Sequence, residues 1–361
     1  MCCFVVGSNM RGYGVLQIEP TDHCNLSCKM CRPHYERWET IHSVPKGFLS
    51  TSLWKEIVQH FVAEHIEWDH IIFQWLGDPL LHPHLSDLIE EAQSLKDQVN
   101  YLRVDTNCIQ LTEERAKRLI SSAEQGAPVL LVCSVDALSE DVYRKVKGYP
   151  MRDLVYRNIR NMIRLRRQSE AQLNIQLQFV VQQENAHEAK EFWSYWTSLL
   201  ECQGGGWHDE ILFKPLSVDG GGEGQARSDV LYRQTLRDSG ICATEGNVAT
   251  RVWNVRPWQV DDQHKEQRKA CPGLWYTPVV RHDGELMLCC ADLQGEMSLG
   301  NLNKSSFLEL WQGSKATKKR LQHLNNDFTG VCADCGGINW YSLPEDAAER
   351  VHARAEELGV L

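Results

Sequence analysis

Short apolar runs recur along the first two thirds of the chain and alternate with longer segments in which apolar residues fall at helical spacing. The fifth run, 173–182, alternates strictly between apolar and polar residues, which is typical of a strand with two different faces. The pattern predicts six strands, at 15–19, 71–76, 101–105, 129–135, 173–182 and 210–216. Helices are predicted between them, for instance after Ser50 and Thr112, which can cap a helix N-terminus.

Strands that alternate with helices in this way form βα units and a parallel sheet, so we expect an α/β fold. Six units fit a partial (β/α)6 TIM-type barrel better than the eight units of a closed one. In barrels of this type the chemistry lies at the C-terminal ends of the strands. We therefore expect residues 1–217 to form a barrel domain whose site lies at that end.

The C-terminal third has a different pattern. Residues 218–264 are polar and glycine-rich, which predicts a long connection, either a lid over the barrel mouth or a flexible linker. In residues 265–340, two short strands flank Asp283-Gly284, which favours a tight β-hairpin, and a helix follows. These residues predict a small second domain, and 341–361 predict a C-terminal surface helix.

Composition narrows the class of protein. Of 361 residues, 42% are hydrophobic and 24% charged, which is ordinary for a globular protein, and the net charge of −10 argues against a nucleic-acid partner. The N-terminus lacks the features of a signal peptide, and no stretch approaches the ~20 apolar residues that span a membrane. We expect a cytoplasmic protein without a membrane partner, whose fourteen cysteines serve metal or redox chemistry rather than extracellular disulfides.

The first cysteine group, Cys24, Cys28 and Cys31, directly follows the first predicted strand. Three thiolates at this spacing can bind three irons of a 4Fe–4S cube and leave the fourth iron open. A zinc site with His23 or His34 as fourth ligand is an alternative, although neither histidine stands at a zinc-finger spacing. Unliganded thiols are another alternative.

This CxxxCxxC spacing after a first strand resembles the radical S-adenosylmethionine (radical SAM) family. The resemblance implies a 4Fe–4S cluster whose open iron binds SAM, and reductive cleavage of SAM to a 5′-deoxyadenosyl radical. Leu76-Gly77-Asp78-Pro79 is similar to the family's Gly-Gly-Glu-Pro motif, although Asp has a shorter reach than Glu. The other positions that resemble SAM contacts of the family are Met30, Asn107, Ser134 and Asp136. Strand-end capping is the alternative role for the polar residues.

Two glutamines extend this set. Gln176 and Gln178 share one face of the fifth predicted strand. If that face lines the barrel interior, both are candidate contacts for SAM or substrate. Polar filling of the barrel is the alternative.

The second cysteine group comprises Cys271, Cys289, Cys332 and Cys335, which could close either a structural zinc site or a 4Fe–4S cluster. The pattern C-x12-G-x4-C followed by CxxC resembles the SPASM or twitch extension of radical SAM enzymes, which implies an auxiliary 4Fe–4S cluster. No cysteine follows Cys335, so the resemblance is to the one-cluster twitch form. Cys290 is left out of the predicted ligand set because it directly follows Cys289, and adjacent strand residues point to opposite faces of the sheet.

The cysteine layout also resembles that of deoxy-scyllo-inosamine dehydrogenases. That resemblance implies hydrogen abstraction from a small molecule, oxidation of a secondary alcohol of a sugar or cyclitol, and an external electron donor such as flavodoxin or ferredoxin. Fold similarity does not fix the substrate.

Three alternatives stay open. A carbohydrate epimerase would need a thiol hydrogen donor, for which Cys108, Cys133 and Cys242 are candidates, unless they are inert buried cysteines. Modification of a ribosomally made peptide is a second possibility, although a barrel that starts by residue 15 leaves no room for an N-terminal peptide-binding module. A non-catalytic metal-binding scaffold is the third.

Overall fold

The protein is described here by a computed structural model, which covers residues 12–31, 46–200, 208–217, 222–241, 248–250, 268–333, 335–338 and 341–361. A ten-stranded sheet runs through it in the order β10-β9-β8-β1-β2-β3-β4-β5-β6-β7. The strands are β1 Val15–Ile18, β2 Trp68–Phe73, β3 Val99–Thr106, β4 Val129–Ser134, β5 Leu173–Val181, β6 Glu210–Pro215, β7 Val248–Thr250, β8 Val279–Val280, β9 Glu285–Met287 and β10 Ser298–Asn301.

Strands β1 to β7 are parallel and lie side by side in chain order. This arrangement confirms the α/β fold and the partial barrel, since the sheet stays open at β7 and β10 instead of closing on itself. All six strands predicted from the sequence are present. The short β7 adds a seventh parallel strand beside β6, which the polar composition of that region did not indicate.

Helices cover the outer face of the sheet. They are α1 Thr51–Ala63, α2 Leu85–Ala92, α3 Glu113–Gln125, α4 Glu140–Lys147, α5 Arg152–Arg166, α6 Ala189–Thr197, α7 Gly222–Ser239, α8 Gly273–Tyr276, α9 Phe307–Trp311, α10 Ser314–Leu324 and α11 Ala347–Glu357. The capping residues expected from the sequence act as such, because the side chain of Ser50 accepts from the amide of Leu53 and that of Thr112 from the amide of Arg115. These bonds satisfy amides that the first turn of a helix leaves without partners.

The main hydrophobic cluster lies between the sheet and these helices. In β4 and β5 every second residue joins that cluster, as Leu131 and Leu177 do, and the residues between them face the barrel interior. Ser134 and Gln178 therefore lie on the interior face, opposite each other in register. The alternating apolar residues of 173–182 thus face the hydrophobic core, and the polar residues between them face the barrel interior.

Helix α7 differs from the expectation of a loose connection at 218–264. It packs beside β5, β6 and α6, and the buried Tyr232 donates its hydroxyl to the carbonyl oxygen of Phe213. The apolar residues of α7 are few, but burying Tyr232 against the sheet stabilises the helix more than its propensity would. The predicted lid over the rest of 218–264 lies largely outside the described residues.

The C-terminal region continues the same sheet. Strand β8 pairs in parallel with β1, and β9 and β10 follow as antiparallel strands, with Gly284 in the hairpin turn at a φ of 83°. The predicted hairpin and the terminal helix α11 are both present. Among the described residues, no helix is long and apolar enough to cross a membrane.

Candidate active site

The loop after β1 brings Cys24, Cys28 and Cys31 together, each half-buried and without a disulfide. Burial, with a smaller contribution from neighbouring cysteines, raises the pKa of Cys24 to about 11 and that of Cys31 to about 12. Thiols of this kind become thiolates when a metal displaces the proton. In the described part of the chain no three potential ligands converge on a single metal ion. Three thiols match the three protein-bound corners of a four-iron cube, whereas a structural zinc site needs four protein ligands.

The histidines considered as zinc ligands do not change this conclusion. A ring nitrogen of His23 lies 2.9 Å from the hydroxyl oxygen of Thr21, and the ring stacks on Phe48 at 4.8 Å. Its known contacts are therefore with the segment beside the loop rather than with the cysteines. His34 lies outside the described residues.

Two glycines let the barrel approach the cysteine loop closely. A Cβ atom on Gly77 would stand 2.3 Å from the carbonyl oxygen of Thr21 and 2.5 Å from that of His23. Gly148 has a φ of 89°, and a Cβ there would stand 2.7 Å from the side-chain oxygen of Ser27. Only glycine permits both approaches. Gly77 thus has a backbone role beneath the loop, beside any contact with SAM.

Asp78 and Asn107 tie strand ends to that loop. The buried carboxylate of Asp78 accepts hydrogen bonds from the amide of Leu80 at 3.0 Å, the hydroxyl of Thr106 at 3.0 Å and the amide of Asn107 at 2.7 Å. Burial raises its pKa, although these donors oppose the rise. The side-chain amide of Asn107 in turn donates to Asn25 in the loop, at 2.7 Å. Contact of Asp78 or Asn107 with SAM stays a prediction.

Ser134 and Asp136 form a buried polar group at the end of β4. Asp136 is fully buried at a φ of 63°, and one carboxylate oxygen accepts from the amide of Val180 at 2.6 Å. The other oxygen accepts from the hydroxyl of Ser134 at 3.1 Å and from the ammonium of Lys147 at 2.5 Å. The group joins the ends of β4 and β5 to helix α4. SAM contact by Ser134 and Asp136 stays a prediction.

Lys147 is a residue that the sequence analysis did not select. It is 2% exposed, and although burial alone would lower its pKa, the carboxylate of Asp136 and the nearby Cys28 hold the pKa above its usual range. The signal was present in the sequence, because Lys147 follows Tyr143 by four residues on the face of α4 that is buried. A buried ammonium beside the cysteine loop can offset negative charge on thiolates or on a bound carboxylate.

Met30 and Gln178 lie near the end of β5. The Met30 sulfur accepts from the side-chain amide of Gln182 at 3.2 Å, which places Met30 over the residue that follows β5. Gln178 is half-buried on the interior face, and its backbone carbonyl accepts from the amides of Val135 and Asp136. The predicted SAM residues other than Met30 thus lie at the C-terminal ends of β2 to β5, and Met30 lies in the cysteine loop.

The barrel interior is unusually polar one level below these residues. Arg103 and Asp105 form a two-fold ion pair, with both nitrogen–oxygen distances 2.6 Å. The side-chain amide of Gln176 donates to the carboxylate of Glu210, and both residues are buried. Because a carboxylate can only accept here, the amide oxygen of Gln176 faces away and has no partner. Of these four residues, the sequence analysis selected only Gln176.

The candidate hydrogen donors lie elsewhere. Cys108 and Cys133 are fully buried in the main hydrophobic cluster, on the helix-covered side of the sheet, and a hydrogen bond joins their sulfurs. Adjacent strand residues point to opposite faces of the sheet, and Ser134 faces the barrel interior, so Cys133 points away from the interior. Cys242 lies outside the described residues.

The second cysteine group is assembled from α8, the end of β9 and the Cys332–Cys335 turn. Backbone amides point at its sulfurs: those of Gly273 and Ile338 at Cys271, that of Ala291 at Cys289 and that of Gly337 at Cys335, all at 3.4 to 3.5 Å. Burial, with a smaller contribution from the other cysteines of the group, raises the pKa of Cys271 to about 11 and that of Cys332 to about 12. Amides directed at sulfur favour thiolates and tune a bound iron–sulfur cluster.

Arg268 and Cys290 are additions to this group. The guanidinium of Arg268 donates to the carbonyl oxygens of Ala333 at 2.9 Å and Cys335 at 3.1 Å and so holds the turn of the CxxC pair. The thiol of Cys290 forms a hydrogen bond with that of Cys289, although the sequence analysis expected it to point away. Strand β9 ends at Met287, so strict alternation no longer applies at Cys290.

A buried ion pair connects the two cysteine groups. His282, in the β8–β9 turn, lies 2.9 Å from the carboxylate of Glu19, which follows β1 directly. Burial would lower the pKa of His282, but Glu19, Asp22 and Asp283 raise it above its usual value. Together with the pairing of β8 and β1, this contact fixes the second group against the strand that carries the first.

Two sequence models of protein families match the chain. The radical SAM superfamily matches residues 18–178, and the iron–sulfur cluster-binding SPASM domain matches residues 271–336. The two matches together span well over half of the chain and contain all seven cysteines of the two groups. They imply a 4Fe–4S cluster with SAM for the first group and auxiliary iron–sulfur binding for the second.

Relatives and solved structures extend the match. The tungsten-containing aldehyde ferredoxin oxidoreductase cofactor-modifying protein of Pyrococcus furiosus is 27% identical over 89% of this chain and 86% of its own length. The AdoMet-dependent heme synthase of Nitratidesulfovibrio vulgaris is 24% identical over 88% and 83%. The crystal structure of BtrN in complex with AdoMet and 2-DOIA superposes with a TM-score of 0.51 over 93% of this chain and all of that one, at 15% identity. This structural likeness supports the fold alone.

The geometry of both cysteine groups agrees with these matches. Three thiols lie on one loop at the C-terminal end of the parallel strands, and backbone amides are directed at three of the four thiols of the second group. The chain belongs to the radical SAM superfamily and carries a C-terminal iron–sulfur cluster-binding domain of the SPASM type.

Proposed function

We propose that the protein oxidises a secondary alcohol of a sugar or cyclitol. When bound, the SAM cluster with SAM supplies a 5′-deoxyadenosyl radical that abstracts a hydrogen atom, and an auxiliary cluster supplies an acceptor for the remaining electron. The observation that supports the proposal is the four-cysteine group held beside β1, because four thiols could fully ligate a cluster there, and such a cluster is suited to electron transfer.

The chain's own residues serve binding and placement in this proposal. Cys24, Cys28 and Cys31 hold the first cluster, and the buried Lys147 provides a positive charge next to Cys28 for the carboxylate of SAM. Gly77 keeps the loop close to the barrel. The cysteine loop lies at the end of the barrel where enzymes of this architecture work.

The polar interior supports a small hydroxylated substrate. Asp105, Glu210 and the unpartnered amide oxygen of Gln176 are acceptors, and Arg103 is the donor paired with Asp105. A buried acceptor without a partner costs free energy, which a hydroxyl or amino group of a substrate would recover. A large apolar substrate would instead leave these polar groups buried without hydrogen-bond partners.

The experiment is product analysis with anaerobically reconstituted protein, SAM, dithionite and a panel of cyclitols and aminocyclitols that includes 2-DOIA. We expect deoxyadenosine and a ketone in equal amounts. A product at an unchanged oxidation level, with deuterium from the solvent at one carbon, would show epimerisation instead and contradict the proposal.

A second candidate is radical modification of a cofactor. Its support is that the curated relatives, at 27% and 24% identity, are a cofactor-modifying protein and a heme synthase. The same assay with tetrapyrrole and pterin probes distinguishes the two candidates. Deoxyadenosine release stimulated only by those probes would favour the second. The electron donor we propose for either reaction is flavodoxin or ferredoxin.

A further inference from the structure

The C-terminal region contains a cavity whose lining includes none of the cysteines of the two groups. Its volume is about 460 Å³, which falls within the range of small-molecule sites. The walls come from α8, the end of α9, α10, α11 and the segment before β1, and they include Tyr13, Trp275, Trp311, Arg320, Val351 and Arg354. The walls are thus largely aromatic or apolar, with guanidinium groups among them.

Arg320 is the central observation. It is 7% exposed, and its guanidinium donates to the carbonyl oxygens of Leu274 at 2.9 Å and Trp311 at 2.8 Å. Its remaining terminal nitrogen, Nη2, is buried and has no hydrogen-bond partner among the residues that the structure describes. No carboxylate of the described residues lies within ion-pair distance of this guanidinium.

The nearby charges do not compensate Arg320. Glu357 also lines the cavity, but its carboxylate pairs with Arg354 at 2.6 Å. Burial lowers the pKa of Arg320 to about 10, so the group is still a cation at neutral pH. The Trp311 ring, 4.6 Å from the guanidinium carbon, and the Trp275 ring, 5.7 Å away, stabilise the cation only in part. A buried cation without an anion is costly, and a bound anion would remove that cost.

We propose that this cavity binds a small aromatic carboxylate or phosphate, whose anionic group accepts from Nη2 of Arg320 and whose ring packs on the aromatic walls. A planar guanidinium suits such an oxyanion. The site adjoins the second cysteine group, since Arg320 bonds to Leu274, whose amide donates to the carbonyl of Cys271 at 3.3 Å. The proposal does not depend on the proposed function.

The test is isothermal titration of the reconstituted protein, without SAM or reductant, with benzoate, indole-3-acetate and phenyl phosphate. Benzamide and indole-3-acetamide are the uncharged controls. We expect at least one anion to bind with a Kd below about 1 mM and at least tenfold more tightly than its amide, a difference of about 1.4 kcal/mol. The absence of binding by all three anions, or equal binding of acid and amide, would overturn the proposal.

Variants locate the site. Arg320→Gln should weaken binding of the best anion at least tenfold. Arg144→Gln is the control, because Arg144 is an exposed arginine of α4 that pairs with Asp141 and is not among the residues that line the cavity, and it should change binding less than about threefold. If Arg320→Gln does not fold, Ala353→Trp serves instead, because residue 353 is an exposed wall residue whose enlargement blocks the cavity. Unchanged binding in Ala353→Trp and in any folded Arg320→Gln would place the anion elsewhere and contradict the proposal.

Discussion

The two cysteine groups share one sheet but are built in opposite ways. The first has three thiols on one loop, and it is supported by close glycine contacts and by the buried charges of Asp78, Asp136 and Lys147. The second has four thiols from three segments, with backbone amides directed at the sulfurs of Cys271, Cys289 and Cys335. An open group beside polar strand ends suits SAM binding, whereas a closed group suits electron transfer. In the proposed function, the first group holds the cluster that cleaves SAM, and the second holds the cluster that accepts the later electron.

The largest expected effect comes from removing a thiol of the first group. Cys28→Ala should abolish deoxyadenosine release and lower the iron content from about eight to about four per chain, because one cube is lost. Cys133→Ala is the matched control, since Cys133 is buried on the far side of the sheet. The measurement is deoxyadenosine by chromatography with iron analysis. If Cys28→Ala still releases deoxyadenosine, the first group does not hold the cluster that cleaves SAM.

Removing a thiol of the second group should separate the two steps. Cys332→Ala should keep deoxyadenosine release with dithionite but lose most ketone formation, because the first group remains intact. Iron should again fall to about four per chain. If the unmodified protein instead contains zinc and only about four irons per chain, the second group is a structural zinc site, and the electron-transfer assignment is wrong.

Lys147→Met sharpens the comparison at the charged support of the first group. Removing the ammonium leaves the fully buried Asp136 unpaired, so the free energy of unfolding should fall by about 3–5 kcal/mol. Lys147→Arg keeps the charge and should lose much less. Denaturant unfolding of the metal-free proteins measures both, and equal losses would show that shape rather than charge is what Lys147 contributes.

The smallest effect concerns the contact between the groups. The pKa of His282 is raised in the folded protein by Glu19, so its stabilisation is fully present below the ordinary histidine pKa of about 6.5 and is lost as the pH rises through the folded value. His282→Gln should therefore cost about 1–3 kcal/mol near pH 6 and less near pH 9. Denaturant unfolding at both pH values tests this, and a cost that grows with pH would reverse the sign.

The sequence was sufficient for the fold and for grouping the cysteines, whereas their role as cluster ligands stays a prediction. Alternation in 173–182 and the βα order predicted the partial barrel, and cysteine spacing predicted both groups, because these signals are local. Helix α7 was missed because a few long-range contacts such as that of Tyr232 stabilise a polar segment.

The supports of the site were harder to predict than its ligands. Lys147 and Arg268 contact groups that are far away in sequence or belong to another element, so no local pattern marks their partners. Cys290 was misjudged because the end of β9 could not be located to one residue. The sequence did not show which side of the sheet the candidate hydrogen donors Cys108 and Cys133 face. That became clear only from the register of β4.

The most direct test of the account is incubation of oxygen-free, reconstituted wild-type protein with SAM and dithionite. The account predicts release of 5′-deoxyadenosine and methionine in equal amounts, dependent on Cys24, Cys28 and Cys31. Protein with a full complement of iron that releases neither product would contradict it.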